Sequence, residues 1–322
     1  MTVTLLPGNT RTIYAAVQSA KGSAASTPTR KFRLTEDSLD PNRQLIQLPE
    51  TDSSSQAPGF VVVGAEPGAT FGTWLRPNDS DMLMYAVMGA KSGSAGTFTL
   101  TPAVATPYLT LWDVIPGYST TKYIDTRIVE AAISSAAGQG IAVQWTARAL
   151  TALTNQTEPT LPAAFSTDIP MTYPMTTVTR AGTHVGNADA FTITITRGGQ
   201  YFHGDNGLTA ADYVNGLWVV TGSFLLAFQD SQEYNAFNTG STVGTALTTS
   251  LYGQTLDTLL AIDATHSFDF VSSNIEYTAY PVAMDTGGAP TTVQAGWNTT
   301  PQTTWANNLT VTVKNDNAAI DA

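Results

Sequence analysis

Three histidines, His184, His203 and His266, are the residues of this 322-residue chain best suited to metal ligation or to proton transfer near neutral pH. They lie far apart and outside any HExxH or comparable ligand spacing, so ordinary surface or turn positions are expected. Two aspartate pairs, Asp37 with Asp40 and Asp79 with Asp81, invite a calcium reading. Neither belongs to a D-x-D-x-D-G loop with a distal Glu, and the second pair opens an expected helix, where negative charge favours the macrodipole. No G-x-S-x-G elbow, P-loop or dinucleotide fingerprint occurs, and the glycines from Gly93 to Gly96 fall in a turn without a following lysine. Trp112, Trp145, Trp218, Trp297 and Trp305 are suited to sugar stacking, but no pair of carboxylates at catalytic spacing accompanies them. The tripeptides at Asn155 and Asn308 match glycosylation sequons, as chance provides in a threonine-rich chain. No catalytic residue, metal site or cofactor is expected.

Composition narrows the classes further. Lys and Arg number 14 against 25 Asp and Glu, a net charge of -11, which argues against a surface that grips nucleic acid. Charged residues make up 12%, about half the usual share, so Thr, Ser, Asn, Gln and Gly must cover much of the surface. There is no cysteine, which excludes a disulfide framework and agrees with assembly in a reducing cytoplasm. No basic and apolar leader opens the sequence, and no run approaches the roughly 20 apolar residues of a membrane span.

The elements that would position any site are organised around Tyr108 to Leu150. Val129, Ala131 and Ile133 alternate with Glu130, Ala132 and Ser134. After a break at Ala136 to Gly140, Ile141, Val143, Trp145, Ala147 and Ala149 alternate with Gln144, Thr146 and Arg148. This predicts a long β-hairpin with one dry and one wet face, and its dry face needs a second layer, hence a sandwich or barrel. Before it, Phe60 to Leu75 reads as two strands. A short helix follows, with Asn78 or Ser80 as cap, Met82, Met84 and Met88 as core, and Gly89 as the stop. Residues 19–59 form a connection far longer than usual, carrying the apolar residues Phe32, Leu34, Leu39, Leu45, Ile46 and Leu48.

After the Pro- and Thr-rich stretch from Thr154 to Pro174, Ala190 to Thr196 alternates as a strand, and Asp205 to Gly207 signals a turn. Leu217 to Phe228 reads as an apolar strand pair. Asp230 and Glu233 then have capping-box spacing ahead of a helix with Tyr234 and Phe237 on one face and Gly240 at its end. Strands follow at Thr258 to Asp263, Ser267 to Pro281 and Asn308 to Val313. The order strand, short helix, glycine stop, strands thus occurs twice. It predicts a first module over 1–155 with its long arm, a linker over 156–174 and a second module over 175–322.

The runs GAEPGATFGTWLRPNDSDMLMYAVMGAK, PYLTLWDVIPG and YIDTRIVEAAISSAAGQGIAVQWTARAL, with GLWVVTGSFLLAF and NNLTVTVKN in the second half, resemble the tail tube proteins of long-tailed, siphovirus-type bacteriophages. The likeness covers most of the chain in element order. It implies a mainly β fold of two tandem sandwich or barrel modules, each flanked by one short helix. It also implies trimeric, pseudo-hexameric rings stacked into the virion tail as a conduit for DNA ejection. Terminator, tape measure and distal tail proteins are the implied partners, with passing double-stranded DNA, assembly in the host cytoplasm and no membrane.

On that reading Glu130, Gln144, Thr146 and Arg148, with Glu276, Thr278, Thr310 and Thr312 from the second module, are expected to face the channel. Arg148 would need a neighbouring carboxylate to mask it. The apolar residues of 19–59 are expected to stack rings, helped by Gly198 to Asn215. A capsid decoration or tail-fibre domain and a carbohydrate-binding β-sandwich are the competing expectations.

Overall fold

A computed structural model describes residues 10–47, 60–160, 166–184, 188–204, 207–227, 232–247, 253–283, 291–299 and 309–320. The amino-terminal half runs β1 (Thr12–Val17), β2 (Arg30–Phe32), β3 (Glu36–Asp37), β4 (Arg43–Gln47), β5 (Phe60–Ala65), β6 (Gly68–Trp74), α1 (Pro77–Met88), β7 (Gly89–Ser94), β8 (Thr97–Pro102), β9 (Leu109–Ile115), β10 (Ser119–Ala136), β11 (Ala142–Arg148) and β12 (Thr151–Leu153). The rest runs β13 (Thr176–Arg180), β14 (Thr183–His184), β15 (Ala188–Thr196), β16 (Gly199–Phe202), β17 (Asp212–Asn215), β18 (Val219–Ala227), α2 (Gln232–Thr239), β19 (Gln254–Ala261), β20 (Ser267–Ala279), β21 (Val282–Ala283), β22 (Thr292–Thr299) and β23 (Leu309–Lys314). The chain is mainly β, as expected.

The long strand β10 belongs to two sheets. Its first part pairs with β9 and β12, its second part with β11 and β15, all antiparallel. β20 divides in the same way, between β19 and β23 at its start and β22 at its end. The result is one long ladder, β6–β11–β10–β15–β18–β22–β20, that runs from the first half of the sequence into the second. Two further ladders, β2–β1–β9–β10 and β8–β23–β20–β19–β13, present residues to the same hydrophobic cluster.

That cluster is where the apolar phase of each strand goes. Phe71, Val143, Trp145, Ala131, Ile133, Phe191, Ile193, Val220, Phe224, Trp297 and Ile275 come from the long ladder. Phe98, Leu100, Leu111, Phe268, Phe270 and Val311 come from the others. Burying a side chain of this size is worth about 1.5–3 kcal/mol. The large rings also dictate small neighbours. Gly222 sits opposite Trp297, and a Cβ there would lie 2.3 Å from Trp297 Cζ2. Trp145 keeps its one polar atom satisfied by donating from Nε1 to Thr73 Oγ1 at 3.0 Å.

Several expectations change in detail. β10 carries a bulge between Ile128 and Glu130, so Ile128 takes the core position and Val129 packs instead with Leu150, Ala210 and Tyr213. An extra residue in one strand shifts its alternation by one. Helix α1 starts at Pro77 with Arg76 as its cap residue. Asn78 and Ser80 lie inside the first turn, where Ser80 Oγ accepts from the Arg76 amide at 3.2 Å and Asp168 Oδ2 accepts from the Asn78 amide at 2.8 Å. A proline at the first helical position needs no partner for its nitrogen, and a carboxylate from elsewhere in the chain does the capping. Met82, Met84 and Met88 are fully buried and Gly89 ends the helix at φ 99°, both as expected.

The expected strand pair at Leu217 to Phe228 is one strand, β18, with Leu217 outside it. β5 pairs with β4 rather than β6. The second helix ends at Gly240 as expected, whereas Asp230 lies outside the described residues, as do Asp205 and Asn206. Part of the stretch expected as a linker is docked: Met171 is buried, its amide donates to Leu75 O at 3.0 Å, and its carbonyl accepts from Ile141 at 2.9 Å.

Candidate functional site

The wet face of the long ladder can be followed strand by strand from the pairing register. One row reads Thr70, Thr146, Glu130, Thr196, Val219 across β6, β11, β10, β15 and β18. The next reads Gly72, Gln144, Ala132, Thr194, Thr221, Asn298, Glu276 and crosses all seven strands. A third reads Trp74, Ala142, Ser134, Thr192, Ser223, Gly296, Ala279. At about 4.8 Å per strand the seven-stranded rows span about 29 Å. None of these residues is a lysine or an arginine, and Glu130 and Glu276 are the ionisable members.

Small polar side chains meet across the strands, as Thr192 and Ser223 do with hydroxyls 2.9 Å apart. Gln144 Nε2 donates to Glu36 Oε1 at 2.7 Å, which brings a third carboxylate to the β6 end of the face. Chemically the surface offers hydroxyls, amides and a few carboxylates. It offers no nucleophile with an adjacent base and no cationic cradle for phosphate.

A family model described as phage tail tube protein matches residues 8–313. The chain belongs to this family. It is a structural, non-enzymatic component of the virion tail, and family membership implies self-assembly into a tube. Comparison with individual curated proteins returns no match.

In this tail tube protein the register gathers four of the residues expected in the channel, Glu130, Gln144, Thr146 and Glu276, on one face. Thr278 is exposed beside Gly296, displaced by the irregularity between Tyr277 and Ala279. Thr310 and Thr312 are elsewhere, on β23 opposite Val271 and Asp269, in the ladder that includes β8 and β19. Arg148 lies past the Glu130 row, in a cleft lined by Asn42, Glu66, Gly199, Gln200, Tyr201 and Tyr213. Glu66 is the carboxylate of that cleft, and its Oε1 lies 3.2 Å from His203 Nε2.

Sequence reasoning passed over Thr194, Thr196, Thr221, Ser223 and Asn298. The alternation in AFTITIT placed the first two within reach. Thr221 and Ser223 were masked because LWVVTGSFLLAF reads as nearly continuous apolar.

Two clusters off this face have perturbed protonation. His266 Nδ1 lies 3.1 Å from Asp263 Oδ1 and its Nε2 lies 3.0 Å from Asp316 Oδ2. Those bonds raise the histidine's pKa, lower that of Asp316, and with backbone N–H donors from Thr265 and His266 bring Asp263 down to about 2. One ligand-capable atom each of Asp168, His266 and Asp316 lies within 4.8 Å of the others. Through Asn78, which donates to Asp168 Oδ1 at 2.6 Å and accepts from the Asp316 amide at 2.8 Å, this corner ties the carboxy-terminal segment to the start of α1. On β20, burial and the neighbouring Asp257 push Asp269 up to about 7.

Proposed function

We propose that the face carrying these rows lines the bore of the tail tube, with three chains per ring and two tube modules per chain, and that double-stranded DNA slides along it during ejection. The observation that carries this reading is the row from Gly72 to Glu276, which is continuous over seven strands and free of cations. Three such ladders provide about 21 strands and roughly 100 Å of wall, hence a bore about 30 Å across between backbones. Closed sheets of 16–18 strands already leave an open channel. Duplex DNA carries a charge about every 1.7 Å, and every phosphate neutralised adds affinity, so a wall that repeats must avoid even weak attraction.

Two modules per chain are supported by a recurring pairing pattern. β6 pairs with β11 and β11 with the end of β10, while β18 pairs with β22 and β22 with the end of β20. A helix follows β6 and another follows β18, and the first parts of β10 and β20 pair with β9 and β19 in turn. β3 lies beside β6 as β15 lies beside β18.

The ring-stacking element is narrower than the whole 19–59 segment. Phe32 and Leu39 are buried in the chain's own core and Leu34 packs against it, while Leu48 lies outside the described residues. Leu45 and Ile46 are exposed on the two-stranded β4–β5 ribbon together with Phe60, Val61 and Val63, apolar side chains on both of its faces that suit a neighbouring ring.

The test of the bore is the double variant Glu130→Lys, Glu276→Lys. It adds on the order of six cations per ring, and tubes should assemble but release DNA several-fold more slowly, most clearly at low salt. Release at the parental rate, from tubes of parental length, would remove both residues from the bore.

A further inference from the structure

At the edge of the long ladder nearest the Glu130 row, the chain holds a buried cation that has no counter-ion among the described residues. Arg197 directly follows Thr196 and is only 5% exposed. Its Nη1 donates to Val104 O at 3.3 Å and its Nη2 to Ala103 O, but Nε is buried with no partner among the described residues. The charge that bears on it is another cation, Arg127. The side-chain oxygen of Asn215, in the orientation that satisfies both guanidiniums, accepts from Arg127 Nη1 at 3.0 Å and from Arg197 Nη1 at 3.3 Å. Arg127 also donates to Tyr108, whose hydroxyl donates to Asp212 at 3.4 Å, and Asp212 pairs with Lys21 at 3.0 Å. Arg127 therefore has a route to a carboxylate, and Arg197 shows none among the described residues.

Trp218, which directly precedes Val219 of the same row, is 8% exposed, and its Nε1 is likewise buried without a partner. Both residues line one pocket of about 240 Å³, together with Pro102, Ala103, Val104 and Leu217. The mouth is apolar and open to solvent: Val104 is 95% exposed and Leu217 is 74% exposed. An uncompensated buried charge and an unmade buried hydrogen bond both destabilise the chain that carries them. Two idle donors sealed behind the lining of one pocket therefore mark a place for an acceptor that no described residue supplies.

We propose that this pocket receives a carboxylate side chain from a neighbouring copy of the chain, whose entry parts the lining to reach the sealed donors Arg197 Nε and Trp218 Nε1 while its own apolar flank covers Val104 and Leu217. The inference rests on the self-assembly that the family implies. A second copy is the favoured occupant because the chain carries a net charge of -11, so the surface brought by a neighbour is rich in acceptors and poor in competing cations.

Placing a carboxylate in the pocket from within the same chain separates this proposal from the assembly reading. Val104→Glu would supply the missing anion internally, and Val104→Gln serves as its shape-matched control. The soluble Glu variant should melt several degrees above the Gln variant, a result that does not depend on whether the chain assembles. It should also fail to form tubes, or need at least a tenfold higher concentration, while the Gln variant assembles like the parent. Equal melting of the two variants overturns the anion site. Higher melting with normal tubes overturns the neighbouring copy as its occupant, and equal loss of assembly in both variants makes the effect steric and overturns it too. Trp218→Phe, which removes only the donor from the ring, should raise the assembly concentration severalfold with little change in melting; unchanged assembly counts against the proposal. Absence of tubes from the parent would instead bear on the assembly reading, and the melting comparison would still decide the site.

Discussion

Asp257 and Asp269 stand on adjacent strands with one oxygen each buried and without a hydrogen-bond partner. Asp269 holds its proton up to about pH 7, so between roughly pH 4 and 7 the native chain binds more protons than the unfolded one. Stability contributed here therefore falls as pH rises through that window. Asp269→Asn keeps the shape and removes the ionisation. Its stability relative to the parent should be unchanged near pH 4 and higher at pH 8, by about 1–2 kcal/mol once solvent screening is allowed for. Denaturant melts at the two pH values check this, and a gain of equal size at both would contradict it. His266 runs in the same sense, since a raised folded pKa gives stability that is present at low pH and lost as pH climbs past that value. Neither cluster was legible in the sequence. Asp257 and Asp269 meet only through the register of β19 on β20, and His266 meets Asp316 only because the carboxy-terminal segment folds back to α1.

At the scale of the element, the sequence announces strands whose alternation is strict and hides those whose wet face is made of glycine and hydroxyls. The phase of Ile141 to Ala149 is as read, because every second residue there is apolar. The bulge at Val129 was not visible: valine suits either face, and the shift becomes apparent only against Thr146 and Ala147 on β11. Gly222 is a further case in which a small residue on β18 serves the ring opposite rather than a turn. Gly222→Ala would push a methyl group into Trp297, and it should destabilise the chain by about 1–3 kcal/mol. Thermal melting of that variant beside Gly296→Ala, whose added carbon would approach Thr278 Oγ1 at a looser 3.2 Å, tests the packing; a larger loss at Gly296 would refute it.

The whole molecule is governed by a sheet that ignores the midpoint of the sequence. The mainly β character and the family were legible from element order and from a hairpin with one sparsely charged side. The joining of β10 to β15 and of β8 to β23 was not, because pairing between distant strands leaves no trace in local alternation. The same scale holds the prediction for the β4–β5 ribbon. Leu45→Asp with Val61→Asp puts a charge on each face of an exposed apolar ribbon, so the chain should fold with parental melting while polymer formation, followed by sedimentation, is lost. Tubes of normal length from that variant would exclude the ribbon from stacking.

The β10–β15 seam has a consequence for how a wall of such chains closes. Seven opposed residue pairs across it belong to a single polypeptide, so this joint is zipped while the chain folds rather than when bodies meet by diffusion. Loss of translational and rotational freedom is then charged only at the joints between chains. A circle made from fewer, wider staves closes at lower concentration, and it leaves fewer places where the staves can come apart under the pressure of what passes through.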